Sequence, residues 1–257
     1  MISDYTSLIL NKTVLANEEF KITRDIISKK RIESIIDFGR YGFTGVSIET
    51  FNIIINTKQK PNETIVENLK HNFILTQKQN YITDKKYPCF LLYRNTDFDV
   101  VAEKLQFDVF KVFRDRQITK KITTENKSDD TTWVLKAKNI NDDGSGISHI
   151  DNYDVYIKNE YLDELSVHEY KNNKNVFITP NMTYNTRVIR NPQNIIYDGS
   201  VAVLIPKKDI KITDEQLLFF STDEYRKFYI IARNLSTQSI NVDNSSVYFY
   251  GILKNDD

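Results

Sequence analysis

The chain has 257 residues and no net formal charge, since 35 lysines and arginines balance 35 aspartates and glutamates. Hydrophobic residues make up 40% and charged residues 27%, which excludes a disordered or collagen-like chain and predicts a well-cored globular protein. A balanced total charge leaves nucleic-acid binding to local basic patches.

Residues 1–58 combine predicted strands with one helix. Ser7–Leu10 is a short apolar run that predicts a strand. Asn17–Ile27 has acids early, bases late and apolar residues at helical spacing, which predicts a helix capped by its first residue. The β-branched runs Ile32–Phe38 and Ser47–Asn56 flank a glycine-containing connection and predict two further strands. A strand–helix–strand order is typical of an α/β sheet.

Residues 59–125 are predicted to connect two domains. Lys58–Asn62 is polar and predicts a linker, and Phe98–Val112 alternates loosely between apolar and polar residues. Phe110–Lys121 has the steepest local charge imbalance, with five basic residues against the single acid Asp115. Basic side chains between strands can follow a phosphate backbone, although a solvated charged loop explains the same pattern equally well.

Residues 126–257 predict a strand-rich domain with two helices. Capping sequences at Thr213 and Thr222 predict the helices Thr213–Phe220 and Thr222–Ala232. Turn-forming residues separate the apolar runs, and the tight turns they predict favour short antiparallel strands. The predicted strands are Trp133–Lys136, Asp154–Ile157, Asn175–Ile178, Arg187–Ile189, Val201–Ile205, Ile240–Val242 and Val247–Ile252.

Two groups of motifs carry a resemblance to a known family. Ile35–Thr50, with the strand and helix before it, resembles the last core strands of adenine-N6 DNA methyltransferases of restriction–modification systems. A second group resembles the target-recognition domains of these enzymes and of type I specificity subunits. Its members are Trp133–Ile140, Phe177–Met182, Arg187–Arg190, Gly199–Lys207, Phe228–Asn234 and Ser239–Asp243.

This resemblance implies a fold class and a domain order. Residues 1–58 would be an α/β fragment, the end of a methyltransferase-type sheet. Residues 59–125 would be a connecting segment, and residues 126–257 an α+β, strand-rich target-recognition domain. The implied partner is double-stranded DNA, which the chain would recognise in a sequence-specific manner.

The family's glycine-rich cofactor motif and its Asn-Pro-Pro-Tyr catalytic motif do not occur in the sequence. We therefore expect neither a catalytic residue nor a cofactor in this chain. S-adenosylmethionine would bind to a separate catalytic methyltransferase chain, and this chain would be inactive alone. In complete enzymes of the family the closing hairpin flanks the pocket for a flipped adenine, which implies that Phe43, Thr44 and Ser47 lie beside that pocket.

Basic residues are the candidates for DNA contacts. Arg187 and Arg190 lie near a predicted strand end, where a guanidinium can bind guanine through two hydrogen bonds. An ion pair with Asp142, Asp143 or Asp198 is the alternative explanation for these two arginines. The candidates for phosphate contacts are Arg114, Arg116, Lys120, Lys121, Lys207 and Lys208.

Two alternative functions remain open. The chain could act as a stand-alone DNA-binding regulator or decoy, or as a nuclease subunit that uses Asp154, Glu169 and Lys171. The three histidines and the single Cys89 lack metal-ligand spacing, so we expect no zinc site. One cysteine, no signal peptide and no apolar run of roughly 20 residues lead us to expect a soluble, cytoplasmic protein without a membrane partner.

Overall fold

The structure, a computed structural model, describes residues 3–45, 47–183, 185–236 and 241–254. In this described part no helix combines the length and the apolar character needed to cross a membrane. The chain forms two compact units, which are Met1–Asp99 with Ile230–Ser239 (unit 1) and Val100–Tyr229 with Ile240–Asp257 (unit 2). The assignment of a methyltransferase-like portion, a connecting segment and a recognition domain to residues 1–58, 59–125 and 126–257 stays a prediction, because it concerns their functions.

Unit 1 is built on a sheet whose first three strands match the expected α/β pattern. Strand β1 (Tyr5–Asn11) precedes helix α1 (Lys21–Ser28), and β2 (Arg31–Gly39) and β3 (Thr50–Asn56) form an antiparallel hairpin. Strand β3 lies between β1 and β2 and is antiparallel to both, so β1 and β2 are parallel. Helix α1 is the crossover between them. The predicted strand–helix–strand order is confirmed.

Two further strands extend this sheet beyond residue 58. Strand β4 (Glu63–Asn68) pairs with β2 in parallel, and β5 (Phe73–Lys78) pairs with β4 in antiparallel fashion. The strand order is therefore β1-β3-β2-β4-β5. Lys58–Asn62 is a loop within one sheet, which corrects the expected linker. Polar composition marks a loop but does not tell whether the next segment returns to the same sheet.

The start of the predicted helix also needs a correction. A 3₁₀ turn, Glu18–Phe20, precedes α1, and the Asn17 side chain makes no capping hydrogen bond. The Asn17 carbonyl oxygen instead accepts from the buried guanidinium of Arg24 (2.7 Å). A short helix α2 (Gln79–Ile82) follows β5.

Unit 2 contains two four-stranded sheets, a two-stranded sheet and helices. The helices and strands from residue 96 onward are α3 (Thr96–Lys104), β6 (Leu105–Gln106), β7 (Phe110–Arg114), β8 (Thr123–Thr124), β9 (Thr131–Leu135), β10 (Val155–Lys158), β11 (Phe177–Pro180), β12 (Ile189–Arg190), β13 (Ile196–Tyr197), β14 (Val201–Pro206), α4 (Asp214–Phe219), α5 (Asp223–Ala232) and β15 (Ile252–Leu253). The strand orders are β13-β9-β10-β8, β12-β11-β14-β7 and β15-β6. One hydrophobic core joins the two four-stranded sheets, since it contains residues of β9, β11, β13 and β14.

Most predicted elements of this region are present. Five of the predicted strands correspond to β9, β10, β11, β12 and β14, with ends within two residues of the prediction. The capping box of α4 is confirmed, because the Thr213 hydroxyl accepts from the Gln216 N–H (3.2 Å) and the Gln216 side chain accepts from the Thr213 N–H (2.9 Å). The Thr222 hydroxyl caps α5 by accepting from the Tyr225 N–H (3.2 Å).

The last predicted strand pair is wrong. A 3₁₀ turn, Ser246–Phe249, covers the first half of Val247–Ile252, and only Ile252 belongs to a strand, β15. Phe249 and Tyr250 are buried in an aromatic cluster with Tyr225, and a fully buried apolar run has no periodicity that separates strand from helix. Of its predicted partner Ile240–Val242, Ile240 lies outside the described residues.

Candidate nucleic-acid interface

A tight turn, Asp198–Ser200, joins the two four-stranded sheets of unit 2 because it connects β13 to β14. The Asp198 carboxylate accepts from the N–H (2.9 Å) and the hydroxyl (2.5 Å) of Ser200. The Val201 N–H donates to the Asp198 carbonyl (3.0 Å). Aspartate stabilises turns through such side-chain bonds to the backbone two residues on, so this turn has one well-defined conformation.

The same turn is bonded to the ends of two other strands. The Asp198 N–H donates to the carbonyl of Leu135, the last residue of β9 (3.3 Å), and the Ser200 hydroxyl accepts from the Ala137 N–H (2.9 Å). Beyond β11, the Asn181 N–H donates to the Ser200 carbonyl (2.7 Å). The ends of β9 and β11 therefore meet at this turn.

The chain leaving β7 passes against the turn as well. A Cβ atom on Gly199 would lie 2.7 Å from the Asp115 carbonyl oxygen, so only glycine allows this close approach. The buried Asp115 carboxylate accepts from the N–H groups of Gln117 (3.0 Å) and Ile118 (2.7 Å) and shapes the loop that follows. The segment after β7 is thus held beside the turn.

Four of the predicted DNA-binding residues lie on this segment. Arg114 ends β7 opposite Ala202, and its guanidinium donates to the Asn181 side-chain oxygen (3.3 Å). The residues that follow, Arg116, Lys120 and Lys121, are exposed. Arg114 and Arg116 flank Asp115, whose carbonyl oxygen lies against the Asp198–Ser200 turn, and the charge of Lys120 acts on Lys136 beside that turn. The contact of all four cations with DNA stays a prediction.

Two lysines that the sequence analysis did not select lie at the same turn. Lys136 directly follows β9, and its ammonium lies 3.6 Å from the centroid of the Tyr153 ring, with that of Lys138 at 5.5 Å. Burial lowers the pKa of Lys136, Asp198 and Asp154 oppose this shift, and the positive charge of Lys120 adds to it. A charge count along the chain misses them, because Lys136 and Lys138 are separated from the basic run by β8 and β9.

Arg187 occupies a different environment from the other predicted arginines. Its guanidinium is buried and forms an ion pair with Asp142 (3.2 Å), which is the alternative that the sequence left open. Burial lowers its pKa. All five N–H donors of the guanidinium have acceptors, so none is left for a base edge in this conformation. The acceptors are the carbonyls of Ala137, Ile140 and Asn185 and the Thr183 hydroxyl.

The remaining predicted basic residues lie away from the turn. Strands β7 and β14 are antiparallel with Phe110 opposite Pro206, so Lys207 and Lys208 follow the end of β14 that is far from Arg114. Lys207 forms an ion pair with Asp108. Arg190 ends β12 on the other edge of that sheet and pairs with Asp214 (2.7 Å). Their DNA contacts stay predictions, but they do not form one patch with Arg114.

In unit 1, the residues predicted to flank a base pocket lie in the connection between β2 and β3. Phe43, Thr44 and Ser47 are all exposed there, and Val46 lies outside the described residues. Gly39 and Gly45 have φ values of +54° and +78°, which favour glycine. The pocket itself stays a prediction implied by the resemblance.

The proposed nuclease trio finds no support in the geometry. The Asp154 carboxylate accepts from the Asn139 side chain (2.7 Å) and contacts the His149 ring nitrogen (2.5 Å). Nothing among the described residues brings Glu169 and Lys171 to it. In that part of the chain there is also no group of three or more histidine, cysteine or acidic residues that could hold a metal ion.

No protein-family model matches the chain, and no curated protein matches it. One solved structure to which it is similar is the type IIG restriction endonuclease BpuSI, at 12% identity and a TM-score of 0.40, over 98% of this chain and 40% of that protein. Another is the type IIL restriction-modification enzyme MmeI in complex with DNA, at 8% identity and a TM-score of 0.49, over 80% of this chain and 34% of that one. The chain thus spans less than half the length of either enzyme.

Proposed function

We propose that the chain recognises double-stranded DNA for an adenine-N6 DNA methyltransferase of a restriction–modification system. Unit 2 would bind the DNA, and another chain would supply the S-adenosylmethionine site and the catalytic residues. The observation that carries this proposal is the convergence of cations from two chain segments on the Asp198–Ser200 turn. The sequence motifs at that turn are those that resemble target-recognition domains.

The local charge supports this turn as the DNA-binding surface. Arg114, Arg116 and Lys120 approach it from one segment, and Lys136 and Lys138 from another. Neutralising phosphates releases condensed counterions and supplies most of the sequence-independent affinity for DNA. Because the whole chain has no net charge, this local cluster rather than the overall field would direct the binding.

Exposed features of unit 1 support the proposal of a catalytic partner chain. Strand β1 is the edge of its sheet, and Ile9 on it is exposed. On α1, Ile22 and Ile26 are one helical turn apart and 75% and 59% exposed. An open strand edge and exposed apolar side chains are features that another chain often covers. A partner strand paired with β1 would cover the edge, and apolar side chains of that partner would cover Ile22 and Ile26.

The DNA-binding proposal is tested by measuring the affinity of the purified chain for duplex DNA at several salt concentrations. Replacing Lys136 and Lys138 together by alanine should weaken binding about ten-fold and reduce the slope of log K against log salt by about 2, since each phosphate contact contributes about 0.9. The matched control is the double alanine variant of Lys207 and Lys208, which should bind almost normally if the turn is the main binding surface. Absence of binding at low salt would refute DNA recognition, and equal losses in both pairs would refute the assignment of binding to the turn.

The partner proposal is tested by capture from source cells followed by a methyl-transfer assay. Activity should appear in the captured material but not in the purified chain, and Ile22→Lys should abolish capture without loss of DNA binding. DNA binding without any captured methyltransferase would favour the stand-alone regulator or decoy. Methyl transfer by the purified chain alone would show that the catalytic half is not separate.

A further inference from the structure

An exposed histidine in unit 2 is held in place by a partly buried aspartate. The His149 side chain is 59% exposed, and its Nδ1 lies 2.5 Å from a carboxylate oxygen of Asp154, whose side chain is 11% exposed. The other Asp154 oxygen accepts from Asn139 (2.7 Å), which is fully buried. Two inward-facing polar side chains thus orient one ring that faces solvent.

The same ring stacks on the indole of Trp133. The two ring centroids are 3.9 Å apart and the planes differ by 25°. Trp133 lies on β9 and packs against the core of unit 2, so the indole is a fixed support. Ordering a surface side chain costs conformational entropy, and such preorganisation favours a binding partner that uses the ordered ring.

The loop that carries His149 also carries another aromatic ring, and two positive charges lie beside that ring. Tyr153 belongs to the same loop as His149, and the ammonium groups of Lys136 and Lys138 lie near its ring. Flat rings that accept bases by stacking, next to cations that bind the backbone, are the recurring combination in sites for unpaired nucleotides. A regular duplex offers no base face to such a ring, because its bases are stacked on each other.

We propose that His149, supported by Trp133, is a stacking platform for a nucleobase that has left the duplex stack, and that Lys136 and Lys138 hold the adjoining phosphates. This inference rests on the proposed DNA recognition and deepens it. The platform would bind DNA in which one base is unpaired more tightly than fully paired DNA.

The test uses the fact that Trp133 is the single tryptophan of the chain. Its fluorescence therefore reports on this platform alone. The purified chain is titrated with a mixed-sequence duplex and with the same duplex carrying one unpaired thymine. We expect about ten-fold tighter binding of the second duplex, in line with the contribution of one base–aromatic stack, together with a larger change in Trp133 fluorescence.

Three variants separate stacking from other roles of the histidine. His149→Ala should lose the preference for the unpaired base, whereas His149→Phe should keep it, because phenylalanine provides a flat ring without the imidazole nitrogens. His168→Ala is the matched control, since His168 also contacts an aspartate, Asp163 (3.2 Å). It should keep the preference. Circular dichroism verifies that each variant is folded.

The outcomes distinguish this inference from the proposed function. If the wild-type chain binds both duplexes equally well, the platform is refuted and DNA recognition stands. If it binds neither duplex, both proposals are refuted. If His149→Phe loses the preference as completely as His149→Ala does, the contact is not a stacking contact and the inference is wrong.

Discussion

The two units stabilise their sheets in different ways. In unit 1, strands of six to nine residues pair along most of their length, so the backbone ladder itself determines the positions of the strands. In unit 2, strands of two to six residues are joined by turns, helices and irregular segments. Buried side chains such as Arg187, Asn139 and Asn181 bond to the backbone of those segments.

The difference shows in which unit a single side chain is important for keeping the structure in place. A long ladder loses little when one side chain changes, since neighbouring backbone bonds keep the register. A loop held by one guanidinium or amide loses its anchor with that group. The candidate DNA-binding surface at the Asp198–Ser200 turn is formed by such loops. Changes to buried polar residues of unit 2 should therefore affect stability and DNA affinity together.

The largest expected effect is that of Arg187→Ala. The change removes five donors from a buried site and leaves three backbone carbonyls with fewer partners. We expect a loss of about 3–5 kcal/mol in the free energy of unfolding, as for other broken buried pairs. Urea titration monitored by Trp133 fluorescence measures it in unit 2 itself. Arg190→Ala is the control, because its exposed ion pair with Asp214 should contribute about 0–1 kcal/mol.

A buried ion pair in unit 1 tests whether single side chains also matter where the strands are long. Lys12 contacts Asp37 (2.8 Å) and donates to the Asn234 carbonyl (2.8 Å), and Asp37 also accepts from Tyr93 (2.6 Å). Lys12→Met should cost about 3 kcal/mol, because it leaves a buried carboxylate without its cation. Adding Asp37→Asn should restore part of the loss. Urea unfolding followed by circular dichroism measures both. An unchanged Lys12→Met variant would show that the ladder alone is sufficient.

A smaller effect is expected for Asn181→Ala at the Asp198–Ser200 turn. The Asn181 side chain donates to the Gly199 carbonyl (3.2 Å) and accepts from Arg114 (3.3 Å) and from the Val242 N–H (3.2 Å). Its removal should cost about 1–3 kcal/mol and should weaken duplex binding as much as Arg114→Ala does. The two affinities are compared at the same salt concentration. Loss of stability with normal affinity would mean that Asn181 does not position Arg114.

The smallest expected effect is a loss of folding stability at alkaline pH, and it should be similar in both units. Burial raises the pKa of Tyr81 and of Tyr170 to about 12, and Asp99 and Glu169 respectively add to the shift. An unfolded tyrosine loses its proton near pH ~10. Between these pH values the unfolded state binds fewer protons than the folded state, so stability present below about pH 10 declines as pH rises to about 12. Tyr81→Phe and Tyr170→Phe should each flatten this decline in urea midpoints measured across that range.

Local signals in the sequence predicted a large part of the fold. The Thr213 capping box and the β2–β3 hairpin with its glycines depend on residues a few positions apart, and both are present. The first and last residues of five predicted strands in unit 2 agree with the structure to within two residues for the same reason. The predictions that needed correction depend on contacts between residues far apart in the sequence. These are the return of β4 to the first sheet and the burial of Phe249 and Tyr250 on a turn.

The candidate site also has one part that local sequence predicted and one part that depends on distant contacts. The basic run around Arg114 and Arg116 was visible in the sequence, because its charges are adjacent. Lys136 and Lys138 join that run only through the Asp198–Ser200 turn, which bonds segments more than sixty residues apart in sequence. No local pattern contains such a pairing.

By itself the sequence determined where strands, caps and charged segments occur, since these depend on propensity and periodicity over a few residues. The tertiary structure decided which arginine is a candidate for DNA contact. Arg114 and Arg187 carry the same guanidinium, but Arg187 is surrounded by carbonyls of Ala137, Ile140 and Asn185, brought together from two distant segments. A buried guanidinium must satisfy its donors internally. The fold therefore turns Arg187 inward and leaves Arg114 at the edge.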